Sequence, residues 1–173
     1  ELVLAPEHKA TEEYLTASGL DYTILRNGWY TENYLPQVAT ARQTGAVVAA
    51  VGDGRVASAS RRDYADGAAA VLVGEGHSGK VYEFSGDQAW DYDELAVTIG
   101  HIIGKPVTYQ RVDGRTLVEM LVGTGMPEEV AQFMAALDAN IADGLLAGTT
   151  GELSTLIGRP TTSLKDGLLA ALV

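Results

Sequence analysis

The chain of 173 residues carries 12 Lys+Arg against 23 Asp+Glu, a formal net charge of −11, and no cysteine. With 46% hydrophobic residues against 20% charged it can bury a core, and its length suits one domain or one domain with a small lobe, which excludes intrinsic disorder. The acidic balance argues against nucleic acid or an anionic membrane as main partner, and the missing cysteines exclude a disulfide framework, a thiolate nucleophile and cysteine-ligated metal.

In chain order, the first predicted element is a helix from Glu7 to Ser18. Glu7, Glu12 and Glu13 favour its N-terminal half, and Gly19 supplies a stop. Tyr22-Thr23-Ile24-Leu25, bounded by Asp21 and Asn27-Gly28, reads as a buried strand. A helix over Thr31–Arg42 follows, with Pro36 expected to kink or divide it. Ala46–Val51 and Arg55–Ser60 flank Gly52-Asp53-Gly54 and predict a hairpin. Asp63 is placed to cap a helix over Arg62–Val73, and Lys80–Phe84 reads as a strand. Asp91 and Glu94 have capping-box spacing before the next helix, which Gly104-Lys105-Pro106 ends, and Val107–Val112 is another strand. From Thr116 the pattern is mostly helical, broken at Gly123–Pro127, Gly148–Gly151 and Gly158–Pro160. Phe133, Met134, Leu137, Ile141, Leu145 and Leu146 form a stripe at helical spacing, read as packing.

Helices alternating with strands predict an α/β fold. No segment reaches membrane-spanning length, and the opening ELVLAPEHKA has no basic-then-apolar leader, so a cytoplasmic protein is expected. No glycine pair leads from a strand into a helix. Gly52-Asp53-Gly54, Gly74-Glu75-Gly76 and Gly123-Thr124-Gly125 are turns or helix ends, and none is a phosphate cradle. No His/Asp/Glu cluster has ligand spacing, so no metal site is predicted.

Several blocks together resemble one family. They are His-x-x-x-Glu (His8, Glu12), Gly-Leu-x-Tyr-Thr-Ile-Leu-Arg (Gly19–Arg26) and Asn27-Gly28-Trp29-Tyr30. Others follow at Ser60-Arg61-Arg62-Asp63-Tyr64-Ala65, Lys80-Val81-Tyr82-Glu83, Ile103–Tyr109 and Gly158–Leu164. The pattern resembles the C-terminal part of NmrA-like atypical short-chain dehydrogenase/reductases, closest to NAD(P)H:quinone oxidoreductases and triphenylmethane reductases. The resemblance implies the C-terminal part of a Rossmann-like NAD(P)-binding fold plus a small mixed α/β substrate lobe. Residues 1–45 would then be the last segment of the Rossmann-like domain, and 46–173 mainly substrate lobe, the chain re-entering the Rossmann sheet near 55–85. It further implies NADPH (or NADH) as cofactor and a quinone or similar aromatic acceptor. A dinucleotide-binding redox regulator without turnover, or an inactive fragment, are the alternatives.

Candidate site residues follow from chemistry and resemblance together. The Lys9 ammonium could orient ribose hydroxyls, although the position where conventional relatives carry the proton-donating tyrosine is Ala5. His8 could pass a proton to a quinone oxygen. Asn27, Gly28 and Trp29 are expected at the cofactor, by amide hydrogen bonding, close backbone approach and apolar stacking. Tyr30, Asn33 and Tyr34 are expected to line the acceptor pocket. The plainer readings are a solvated Lys9, a first-turn His8, and aromatics that plug the core. Arg61-Arg62-Asp63 reads as a helix start with two surface arginines rather than an anion clamp.

Overall fold

The computed structural model describes residues 2–173. Its helices are α1 (Ala5–Ala17), α2 (Leu35–Thr44), α3 (Arg61–Val73), α4 (Tyr92–Ile103), α5 (Gly114–Gly123), α6 (Glu128–Ala142), α7 (Glu152–Ile157) and α8 (Leu164–Ala171). The strands are β1 (Ile24–Asn27), β2 (Ala46–Ala49), β3 (Arg55–Val56), β4 (Val81–Phe84), β5 (Trp90–Asp91) and β6 (Thr108–Arg111). They pair as three two-stranded ladders: β1 with β4 and β2 with β6 in parallel, β3 with β5 antiparallel. The parallel pairs with helices between them make this an α/β fold. No described helix is long and apolar enough to cross a membrane.

The expected hairpin around Gly52-Asp53-Gly54 does not form. The chain does turn there, with Gly54 N–H donating to the Val51 carbonyl at 2.9 Å. Its donors go elsewhere: Ala50 N–H to Asp138 Oδ2 at 2.7 Å, and Ala57 N–H to the Leu146 carbonyl at 2.8 Å. The end of α6 therefore occupies the place of a hairpin partner, and each strand pairs outward instead. A Cβ on Gly54 would lie 2.4 Å from the Ile141 carbonyl oxygen, so only glycine lets the two backbones approach this closely.

Local chemistry sets the helix ends. Ser60 is the N-cap of α3, and Asp63, three residues on, closes a capping box instead of being the cap itself. Asp91 and Glu94 close the expected box on α4, and Gly104 ends it at φ 72°. Pro36 divides the second helical segment: Thr31–Tyr34 is a 3₁₀ turn, and α2 begins at Leu35.

Two apolar cores result. The larger gathers Tyr34, Val38, Val47, Trp90, Leu95 and Ile99; the smaller has Ala59, Tyr64, Phe84 and Leu153 beneath β1 and β4. The stripe on α6 packs only towards its end, where Ile141 is buried. Phe133 and Met134 are exposed, while Ala131 of the same helix, which packs along α5, is buried.

Candidate functional site

β1 ends at Asn27, two residues later than its sequence pattern predicts, in register with Phe84 of β4. This is the carboxyl end of a parallel strand pair, the edge at which open α/β sheets bind ligands. Asn27 is exposed there, and its side-chain amide lies 3.5 Å from the Tyr30 hydroxyl. Gly28 N–H donates to the Phe84 carbonyl at 2.9 Å. A Cβ at Gly28 would meet that oxygen at 2.9 Å and the Tyr64 hydroxyl at 3.3 Å. The close approach that Gly28 permits is thus between its own strand ends.

Tyr30 is half-buried beside them. Its ring meets Tyr64 edge to face, with centroids 5.2 Å apart at 84°. The Arg61 guanidinium lies over the same ring at 4.2 Å. Asn27, Tyr30 and Arg61 therefore form one run of polar and aromatic groups from the strand end to the start of α3.

Helix α1 is fixed to this strand end by charge, since none of its residues is buried. Arg26 on β1 donates to both Glu12 oxygens, Nε to Oε1 at 2.8 Å and Nη2 to Oε2 at 2.6 Å, and its Nη1 reaches Glu83 on β4 at 2.5 Å. The hydrogen bond from Arg26 holds the Glu12 carboxyl below its ordinary range. His8 stands one helical turn from Glu12 on the same face, with Lys9 beside it, both exposed. Near the start of this segment Val3 N–H donates to Asn140 Oδ1 on α6 at 2.8 Å.

Two of the expected site residues turn inward, Tyr34 from the acceptor pocket and Trp29 from the cofactor side. Tyr34 is 2% exposed within the larger core, edge to face with Trp90 and with its hydroxyl 3.4 Å from that of Tyr92. Burial pushes that hydroxyl well above the usual tyrosine range. The reason is the 3₁₀ turn: residues three apart eclipse, so Thr31 and Tyr34 share the inner side while Glu32 and Asn33 are only half-buried. Trp29 packs against the same core, and its indole N–H is buried without a hydrogen-bond partner among the described residues. Tyr34 is therefore a core residue in this structure and does not line an open pocket. The structure brings together Asn27, Gly28 and Tyr30, and places His8 and Lys9 on the helix tied to the same strand.

One organising residue carries a role that the sequence pattern did not disclose. Asp63 is fully buried. It accepts from Ser60 Oγ at 2.7 Å, Arg159 Nη1 at 2.7 Å, Thr162 N–H at 2.9 Å and Thr162 Oγ1 at 3.1 Å. Burial alone would raise its pKa, but these donors outweigh burial and hold it below the ordinary value. Arg159 also reaches Asp66 at 2.7 Å, so the segment before α8 is clamped to α3. The resemblance at Gly158–Leu164 was the available signal; its partner, about a hundred positions earlier, was not.

The donor set fits one end of a dinucleotide. The Asn27 amide, with only a 3.5 Å neighbour, and the Lys9 ammonium, which forms no ion pair among the described residues, have the chemistry to meet a carboxamide and ribose hydroxyls. The diphosphate end does not fit. The N-termini of α3, α4, α5 and α8 are each capped by their own Ser or Asp side chains, and the glycine turn that opens the six-residue α7, at Gly151, leads straight into Glu152, whose N–H already donates to Thr150 Oγ1 at 3.3 Å.

A family model described as NAD(P)H-binding matches residues 3–74. Quinone oxidoreductase 2 of Escherichia coli (strain K12) is 44% identical over 167 residues, covering 96% of this chain and 58% of that protein. The crystal structure of NADPH-dependent quinone oxidoreductase QOR2 from Escherichia coli, complexed with NADPH, superposes with a TM-score of 0.93. It is 43% identical, and the match covers 99% of this chain and 61% of that one. Triphenylmethane reductase of Citrobacter sp., complexed with NADP(H), gives a TM-score of 0.86 at 35% identity, covering 95% and 57%. The chain thus spans about six-tenths of the length of the relatives it matches.

Proposed function

From the premise that this chain is related in sequence and fold to the NAD(P)H-binding reductases, we propose that it carries the nicotinamide and acceptor side of a reductase that passes hydride from NADPH, or NADH, to a quinone or similar aromatic acceptor. The observation that supports this most is the exposed Asn27 amide beside Tyr30 at the carboxyl end of β1, where an amide and an aromatic ring meet. Asn27 would hold the carboxamide and Lys9 the ribose hydroxyls. Gly28 keeps the ends of β1 and β4 close, and Trp29 anchors the segment to the core. Tyr30, with Arg61 over its ring and Asn33 half-exposed after it, would border the acceptor. His8 is placed to hold a proton for the reduced oxygen. A bound reduced nicotinamide supplies the hydride; these residues orient it and the acceptor. In this reading residues 1–45 belong to the dinucleotide-binding side, with β4 beside β1, and most of 46–173 forms the acceptor lobe.

The test is NADPH oxidation by the chain with menadione, followed at 340 nm. Because no diphosphate cradle is among the described residues, NADPH should bind weakly, and the rate should rise almost linearly with its concentration. Asn27→Ala and Lys9→Ala should each lower that slope. Tight NADPH binding with no acceptor-dependent oxidation would favour a dinucleotide sensor without turnover and would overturn the reductase reading.

A further inference from the structure

Among the described residues two arginines lie over tyrosine rings, and they differ in one respect. Arg111 sits 4.6 Å above Tyr109, and its charge is met by Asp93 at 2.5 Å and Asp53 at 3.2 Å. Arg61 sits 4.2 Å above Tyr30 and forms no ion pair with any described residue. Five other arginines, Arg26, Arg55, Arg111, Arg115 and Arg159, are all tied to carboxylates. In a chain of net charge −11, a guanidinium left without a counter-ion beside the strand end is a specific local feature.

We infer that Arg61 is a specificity residue that favours aromatic acceptors bearing an acidic group, a carboxylate or sulfonate, over neutral ones. This rests on the acceptor site proposed above. The carboxylates around Arg61 are already engaged. Glu32 accepts from the Arg61 backbone N–H at 2.9 and 3.2 Å, and Asp63 and Asp66 are held by Arg159. The neighbouring Arg62, also exposed and without an ion pair among the described residues, adds to the positive potential. The Tyr30 ring beneath it restrains the guanidinium, and no described residue accepts from its side-chain N–H groups, so they remain available for two-pronged binding of an acidic group. An acceptor ring placed beside Tyr30 with an acidic substituent towards α3 would meet that fork. A neutral ring would gain only the apolar contact.

The experiment titrates the chain with menadione and with 1,4-naphthoquinone-2-sulfonate, reading quenching of Trp29 and Trp90 emission. These share one ring system and differ in charge, and the absence of cysteine removes thiol addition as a complication. The sulfonate should bind roughly five- to tenfold more tightly at low ionic strength, a preference typical of a partly exposed charge-assisted contact. In Arg61→Met the ratio of the two affinities should fall to about one. Arg61→Lys, which keeps the charge but loses the fork, should give an intermediate ratio. The α3 start should survive both changes, since Arg61 contributes its backbone N–H to Glu32 whatever its side chain. If both ligands bind equally well to the unaltered protein, or the preference survives Arg61→Met, the inference is wrong while the acceptor site stands. If neither ligand binds, the acceptor site itself fails, and this inference with it.

Discussion

Replacing Asp63 with Ala tests whether the clamp between α3 and the segment before α8 holds the site together. The substitution removes the N3 member of the α3 capping box, which contributes about 1 kcal/mol. It also leaves the Thr162 N–H and hydroxyl without their acceptor in a partly enclosed place, at a cost of about 1 to 3 kcal/mol. The freed Arg159 guanidinium is part exposed and can turn to water or stay with Asp66, so no penalty for a buried orphan charge is added. The expected loss is about 2 to 4 kcal/mol, or roughly 5 to 15 °C in Tm for a chain of this size. Urea denaturation at neutral pH measures it. The pH dependence gives a second reading with a fixed sign. The folded-state pKa of Asp63 lies below its unfolded value of about 3.9. Its stabilisation is therefore fully present above that value and lost as the pH falls through the lower folded one. Asp63→Ala should lose that part of the acid-side slope. A loss under about 1 kcal/mol, with the slope unchanged, would refute the assignment of Asp63 as a structural anchor.

Other substitutions probe separate parts of the argument. Asp138 is half-buried, accepts one backbone hydrogen bond and forms no ion pair among the described residues; burial raises its pKa. Stability should therefore decline as pH rises from about 4 towards its folded value, and Asp138→Asn should flatten that decline in urea melts across the range while keeping the Ala50 contact. Gly28→Ala forces a Cβ to 2.9 Å from the Phe84 carbonyl and should cost about 1 to 3 kcal/mol, read as a lower denaturation midpoint. Tyr30→Ala should weaken menadione binding roughly five- to a hundredfold if the ring walls the acceptor, measured by fluorescence titration. If Tyr30 merely packs on Tyr64, melting temperature should fall and affinity per folded molecule stay constant.

Element positions were readable because they depend on neighbours in sequence. The Asp91–Glu94 box, the Gly104 stop and the division at Pro36 are each decided within four residues, and each appears where the pattern placed it. Strand pairing was not readable in the same way. Gly52-Asp53-Gly54 has good hairpin chemistry, yet Ala50 and Ala57 give their N–H groups to residues nearly ninety positions away. Tyr34 failed for a subtler reason. Residues three apart share a face of an α-helix as well, so periodicity alone pairs 31 with 34 but does not say that their side is the one the Trp90 and Tyr92 core covers. The 3₁₀ turn that Pro36 imposes puts Thr31 and Tyr34 on one inner side.

The candidate site was legible as a block but not as a set of roles. Asn27-Gly28-Trp29-Tyr30 is continuous in sequence, and its place at a strand end follows from one strand boundary. Which of its side chains face outward depends on what arrives from elsewhere: Phe84 beside Gly28, the core against Trp29, and Tyr64 with Arg61 around Tyr30. Arg61 and Arg111 make the same point for charge. Each is an exposed arginine over a tyrosine ring, so that feature alone does not tell them apart. The carboxylates that neutralise Arg111 come from 18 and 58 positions away, and no such pair reaches Arg61 among the described residues. A free cation is thus a property of the folded chain, set by which acidic side chains are already occupied. Asp63 and Asp66, the nearest candidates in sequence, are drawn off by Arg159. The clamp that steadies α3 is also what leaves the guanidinium at its start available to a ligand.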